Sequence, residues 1–195
     1  MRRPVARPYR QCGGFTLTEL MVVLSISAIL MGLGIPSFSR LIQSSTVTTT
    51  ANILLADLRY TRSEAIRRGG GVTMCRSDAP EAAHPVCSSD STGADGRGWA
   101  DGWIVFQDWN GNGAQDDVEP LLRVQSAMSQ MDAITEAGDT ATVFRFTATG
   151  RTSITNATLH IGGSRFATDA QRLVCVNFGG RARIASAAAV DCGGQ

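Results

Sequence analysis

Residues 11–38, QCGGFTLTELMVVLSISAILMGLGIPSF, restrict this chain more than any other stretch. A head carrying Arg2, Arg3, Arg7 and Arg10 and no acid ends in Gly13-Gly14, and a predominantly apolar run begins at Phe15. From Phe15 to Phe38 the run holds 24 residues, and a helix needs roughly 20 to cross a hydrocarbon core of about 30 Å. The arginines predict that the head stays in the cytoplasm. An ordinary signal peptide is disfavoured, because its apolar core is only about 7–15 residues long and a small-x-small cleavage site follows it. One acid, Glu19, interrupts the run, and no other charge occurs before Arg40. A carboxylate in a membrane helix costs several kcal/mol unless it is paired, so Glu19 predicts a partner. Ser25 and Ser27 can bond back to helix carbonyls, and Gly32 and Gly34 permit close packing. Pro36 has no amide hydrogen and predicts a kink or a loosened turn.

Beyond Pro36 the helical pattern continues. Val47, Ala51, Leu54, Leu58, Thr61 and Ala65 step by three and four along one stripe, and Gly69-Gly70-Gly71 ends the element. The prediction is one helix over 15–68, with residues 15–38 spanning a membrane and 39–68 packed on a domain. Short β-branched or aromatic segments at 72–75, 103–107, 121–124, 143–146, 158–161 and 173–177 predict strands, and 182–184 adds another. Residues 76–98 predict an exposed loop, and 125–141 a mostly irregular stretch. The fold class is therefore α+β: a long N-terminal helix packed on a β-sheet-rich head over 69–195.

Charge is divided along the head. Residues 69–139 hold three arginines against twelve acids, and residues 140–195 hold six arginines against two acids. Separate faces or partners follow, rather than a uniformly basic nucleic-acid binder. Of five cysteines, Cys12 lies in the head and four lie beyond the apolar run. Four cysteines allow three pairings. Cys75–Cys87 and Cys175–Cys192 are favoured because each pair flanks a loop-like stretch, and bridges closing such loops are worth roughly 3 kcal/mol.

Gly14-Phe15-Thr16-Leu17-Thr18-Glu19-Leu20-Met21 resembles the class III signal of type IV pilins and pseudopilins, with Thr18 standing where the family usually has isoleucine or leucine. The resemblance implies that a prepilin peptidase removes residues 1–14 by cutting between Gly14 and Phe15, then methylates Phe15. It also implies that Glu19 pairs with a neighbouring subunit's terminal ammonium. Arg62-Ser63-Glu64-Ala65-Ile66, Val72-Thr73-Met74-Cys75, Asp101-Gly102-Trp103-Ile104-Val105-Phe106 and Gly180-Arg181-Ala182-Arg183 resemble the GspH/FimT branch. Membership implies the pilin fold and a single-pass protein of the bacterial inner membrane with its head in the periplasm, incorporated into a filament. The function implied is that of a FimT-like minor pilin of a type IV pilus. The alternative is a GspH-like minor pseudopilin of a type II secretion system. Other pilins or pseudopilins, the prepilin peptidase and the inner membrane are the implied partners, with Glu19 and Pro36 in subunit assembly.

Two further patterns carry candidate chemistry. Asp108, Asn110, Asn112, Asp116 and Glu119 occupy ligand positions of a calcium loop, with Gly113 at its turn. Strands rather than helices flank it, and Asn-Gly repeats are a strong hairpin signal, so a plain hairpin tip is the favoured reading. No resident cofactor is expected. Arg181 and Arg183 project from one side of an extended segment about 7 Å apart, matching successive phosphates, and Gly180 allows close backbone approach. In FimT-like minor pilins such a motif is associated with binding DNA, which makes double-stranded DNA a candidate partner. Arg151, Arg165 and Arg172 widen the basic patch. Catalysis is not expected, since no histidine accompanies a candidate nucleophile and no phosphate-binding glycine loop precedes a helix.

Overall fold

The computed structural model describes residues 14–90, 95–137, 143–154, 156–186 and 192, with residues 33–37 described by their main chain alone. The chain divides into two units, Met1–Ser39 and Arg40–Gln195. Helix α1 (Leu17–Arg68) starts in the first and ends in the second.

In the first unit, α1 begins two residues into the apolar run because Thr16 takes the N-cap position. The Thr16 hydroxyl accepts from the Glu19 main-chain N–H at 3.2 Å. The Glu19 carboxylate accepts from the Thr16 N–H and from its hydroxyl, each at 2.9 Å. This Thr-x-x-Glu capping box satisfies two amides that a helix start leaves unpaired, and it puts negative charge at the positive end of the helix dipole. Further along, the Ser25 hydroxyl donates to the Met21 carbonyl at 2.8 Å. The helix runs unbroken through Pro36, so the loosening expected there stops short of a break. Among the described residues no helix is long and apolar enough to cross a membrane. The predicted span of 15–38 includes residues 33–37, whose side chains lie outside the described set, and so do residues 1–13 of the predicted leader.

In the second unit the predicted stripe is the buried face of α1. Val47, Ala51, Leu54, Leu58, Thr61 and Ala65 are all at most 1% exposed. Arg67 and Arg68 in the last turn close on Glu64 and hold its carboxyl down to about 2, largely through the hydrogen bond from Arg67. Gly69, Gly70 and Gly71 then take positive φ values of 83°, 106° and 68°, which lets the chain reverse directly into a strand.

Among the described residues eight strands form two antiparallel four-stranded sheets. The first contains β1 (Gly70–Arg76), β2 (Trp103–Gln107), β3 (Leu121–Gln125) and β5 (Val143–Thr147), in the order β3-β2-β1-β5. The second contains β4 (Ala133–Ala137), β6 (Asn156–Gly162), β7 (Arg172–Asn177) and β8 (Ala182–Ser186), in the order β4-β6-β7-β8. Period-two alternation sends Val72, Met74, Trp103, Val105, Phe144 and Phe146 inward from one sheet. Leu159, Ile161, Val174 and Val176 enter from the other, and the helix stripe completes a single core. On the opposite face of the first sheet, Cys75, Ile104 and Phe106 form a smaller cluster with Cys87 and Val143. Strand β4 corrects the expectation of an irregular 125–141. Its sequence, AITEA, has little strand propensity, and the strand is fixed by pairing with β6 and by burial of Ile134.

Candidate functional site

Gly14, Phe15 and Thr16 lie ahead of the first helical turn. The Gly14–Phe15 bond is therefore outside regular structure, and the Phe15 side chain is 89% exposed. Glu19 lies one turn further on, exposed and bonded to Thr16 of its own chain. The sequence carried the signal for this cap in the Thr-x-x-Glu spacing, which the reading in terms of a partner's ammonium passed over.

The Gly-Arg-x-Arg segment lies where two turns meet. The link between β7 and β8 closes through Asn177, whose N–H donates to the Arg181 carbonyl at 3.1 Å and whose carbonyl accepts from Gly180 at 2.8 Å. The Asn177 side-chain oxygen accepts from the Arg181 N–H at 3.0 Å. The turn after β5 closes through Thr147, whose N–H donates to the Arg151 carbonyl at 2.9 Å. The two are joined by a hydrogen bond from the Thr152 N–H to the Phe178 carbonyl at 3.2 Å. Gly180 is buried, and a Cβ there would lie 1.9 Å from the Gly150 carbonyl oxygen. That same oxygen accepts from Arg62 Nε of α1 at 3.0 Å. The close approach that Gly180 makes in this structure is to a neighbouring turn. Gly180 sets where β8 begins.

Arg181 and Arg183 are both exposed; Arg183 lies in β8, the last strand of its sheet, and Arg181 immediately precedes that strand, two positions away. Arg183 faces Cys175 across the ladder and donates from Nη2 to the Cys192 carbonyl at 3.1 Å. Cys175 and Cys192 form a disulfide, as do Cys75 and Cys87, with Cα separations of 5.6 and 5.5 Å. The favoured pairing is the one formed.

Most arginines of the head are neutralised by a specific carboxylate. Arg76 pairs with Asp78, Arg97 with Asp101, Arg123 with Asp57, Arg145 with Asp108 and Arg165 with Asp132. Among the described residues Arg151, Arg172, Arg181 and Arg183 form no ion pair. Among the described residues the second sheet and its adjoining turns thus carry arginines with no carboxylate against them, a surface suited to an anion.

The acidic stretch 108–119 connects β2 to β3 as a hairpin. Most of its described side-chain acceptors bond to its own backbone and amides. Asp108 is buried and takes the Gly111 N–H at 2.6 Å, the Gly113 N–H at 3.1 Å and the Thr73 hydroxyl at 3.2 Å. Glu119 accepts from the main chain of Trp109 at 2.7 Å and of Asp116 at 3.2 Å. Asn110 and Asn112 donate their side-chain amides to Asp116 at 2.7 and 3.2 Å and accept main-chain N–H groups on their oxygens. Arg145 adds a hydrogen bond to the Gly111 carbonyl at 2.7 Å. Among the described residues no group of three His, Cys, Asp or Glu side chains is arranged to hold a metal ion. In this structure the stretch is a hairpin connection whose polar side chains are bonded within the protein.

Sequence reasoning missed Asp57, a carboxylate on the buried face of α1. It accepts from Trp103 Nε1 at 2.8 Å and pairs with Arg123 at 2.8 Å, and the Arg123 guanidinium lies 5.3 Å from the centroid of the Tyr60 ring. Burial raises its pKa, opposed by the indole N–H and by Arg123. These contacts clamp the helix to the first sheet. A cleft of about 390 Å³ beside them, between residues 45–53 and 125–131, is lined by hydroxyl, amide and apolar groups with no ionisable side chain.

The family described as type II transport protein GspH matches residues 50–180, and the prokaryotic N-terminal methylation motif matches residues 9–35. No curated protein gives a significant match. In fold the chain is similar to the type IV minor pilin FimU of Pseudomonas aeruginosa strain PAO1 in two crystal forms. The TM-scores are 0.50 and 0.53, with 20% and 19% identity, covering 72% and 73% of this chain and 94% and 90% of the other. At that identity the likeness is one of fold.

Proposed function

The chain belongs to the family of the type II transport protein GspH, and from that premise we propose that it works as a FimT-like minor pilin of a type IV pilus. In this reading prepilin peptidase cuts between Gly14 and Phe15 and methylates Phe15. Residues 15–38 anchor the subunit in the inner membrane with its head in the periplasm. Apolar helix contacts then draw it into a filament, and Glu19 pairs with the terminal ammonium of a neighbour to set the axial register. The observation that carries the reading is the methylation motif over residues 9–35, continuous with a helix whose later turns carry a β-sheet head. The role is one of assembly, not catalysis. Mass spectrometry of the protein isolated from cells is expected to give an N-methylated Phe15 terminus, and Glu19→Ala is expected to abolish its incorporation into filaments. A terminus elsewhere, or normal incorporation of Glu19→Ala, refutes the reading.

DNA binding through Arg181 and Arg183 is the finer part of the proposal. The absence of any carboxylate partner for either residue among those described supports it, since a duplex supplies closely spaced phosphates. Retardation of duplex DNA by the full-length protein is expected to be lost in the Arg181→Ala/Arg183→Ala variant, and equal retardation by both proteins refutes it. The family match itself favours one alternative, a minor pseudopilin of a type II secretion system. Deleting the gene separates them: loss of piliation and transformation marks the pilus component, and loss of secretion the pseudopilin.

A further inference from the structure

We propose that Arg151, held by the ring of Phe178, is a third phosphate-binding cation on the surface that presents Arg181 and Arg183; this rests on the DNA-binding reading above. The sequence offered three arginines to widen the basic patch, and the structure separates them. Arg165 is bound to Asp132, with Nε 3.0 Å from Oδ1, so its charge is compensated. Arg172 spends Nη1 on the carbonyls of Asp169, Ala170 and Gln171 at 3.0, 3.2 and 2.8 Å. Arg151 is exposed, and its guanidinium lies 4.1 Å from the centroid of the Phe178 ring. A ring face attracts a cation without neutralising it, so the charge stays available to an anion while the side chain is restrained. Such restraint reduces the conformational entropy lost when a ligand binds.

The fold brings the turn of this residue against the turn that carries Arg181 and leads into β8. Gly180 packs its backbone on the Gly150 carbonyl, and Arg151 and Arg181 each follow directly after one of these two glycines. The hydrogen bond from Thr152 to the Phe178 carbonyl ties the turns together on the far side of the same contact. Three cations without carboxylate partners among the described residues, carried on two abutting turns and one strand, offer themselves to the phosphates of duplex DNA. Phe178 is the positioning residue of the set.

The test uses the full-length chain in detergent micelles and a short DNA duplex, with affinity read by fluorescence anisotropy between about 50 and 200 mM salt. Each phosphate contact contributes about 0.9 to the slope of log affinity against log salt. Arg151→Ala is expected to lower affinity roughly three- to tenfold at the low-salt end and to reduce the slope by about 0.9. Arg151→Lys is expected to restore the slope and only part of the affinity, because the flat guanidinium is what stacks on the ring. Phe178→Leu is expected to weaken binding with the slope unchanged, since the charge is kept and only its placement is lost. An unchanged slope in Arg151→Ala, alongside a loss of about 1.8 in Arg181→Ala/Arg183→Ala, overturns the third cation and leaves the DNA reading intact. Absence of any binding by the wild-type protein overturns both.

Discussion

Gly180 sits where a side chain has no room. Its φ is +72°, and a Cβ would meet the Gly150 carbonyl oxygen, a main-chain atom that cannot rotate away. Gly180→Ala is therefore expected to cost about 2 kcal/mol or more in urea unfolding, because both the backbone conformation and the turn contact oppose it. Asp57 is the other position where one group carries a large share of the local structure. The folded state raises its pKa, so the folded protein holds that proton more tightly than the unfolded chain does. Its contribution therefore favours folding at the acid end and is lost as the pH climbs through the folded-state value. Asp57→Asn keeps an oxygen for the Trp103 indole and removes the titration. The melting temperature of wild type relative to Asp57→Asn is expected to rise as the pH falls from about 7 towards 4, the range above the ordinary aspartate pKa. A constant difference across that range would show that burial does not set the behaviour of this carboxyl.

Among the elements, the later half of α1 was the most legible in the sequence. A run of buried positions at steps of three and four can be read without knowing what they pack against. Leu58, 1% exposed at the centre of that stripe, is expected to cost about 3 kcal/mol when replaced by alanine, measured by denaturant unfolding. The strands β1, β2, β5 and β7 were legible for a related reason, since their buried faces are β-branched or aromatic. Strand β4 was not, because its alanines and Glu136 take their places from distant partners, among them β6 and Trp99, whose indole donates to Glu136 at 2.7 Å. The cap of α1 is written in four residues, Thr16 to Glu19, but a lone acid in an apolar run points equally to a partner outside the chain.

For the whole molecule, the imbalance of charge along the head is settled by contacts that no local pattern announces. Arg145 crosses from the basic half of the sequence to Asp108 in the acidic half, and Arg165 crosses to Asp132. The Gly-Arg-x-Arg motif and the candidacy of Arg151 were visible in the sequence, but the contact of Arg151 with Phe178 was not. They are brought together by two turns that share one backbone contact and are far apart in the chain. The capping box at the other end carries a consequence of its own. Under the function proposed above, Thr16 competes with a neighbour's ammonium for the same carboxylate, so joining a fibre would exchange one bonded state for another and gain only the difference between them.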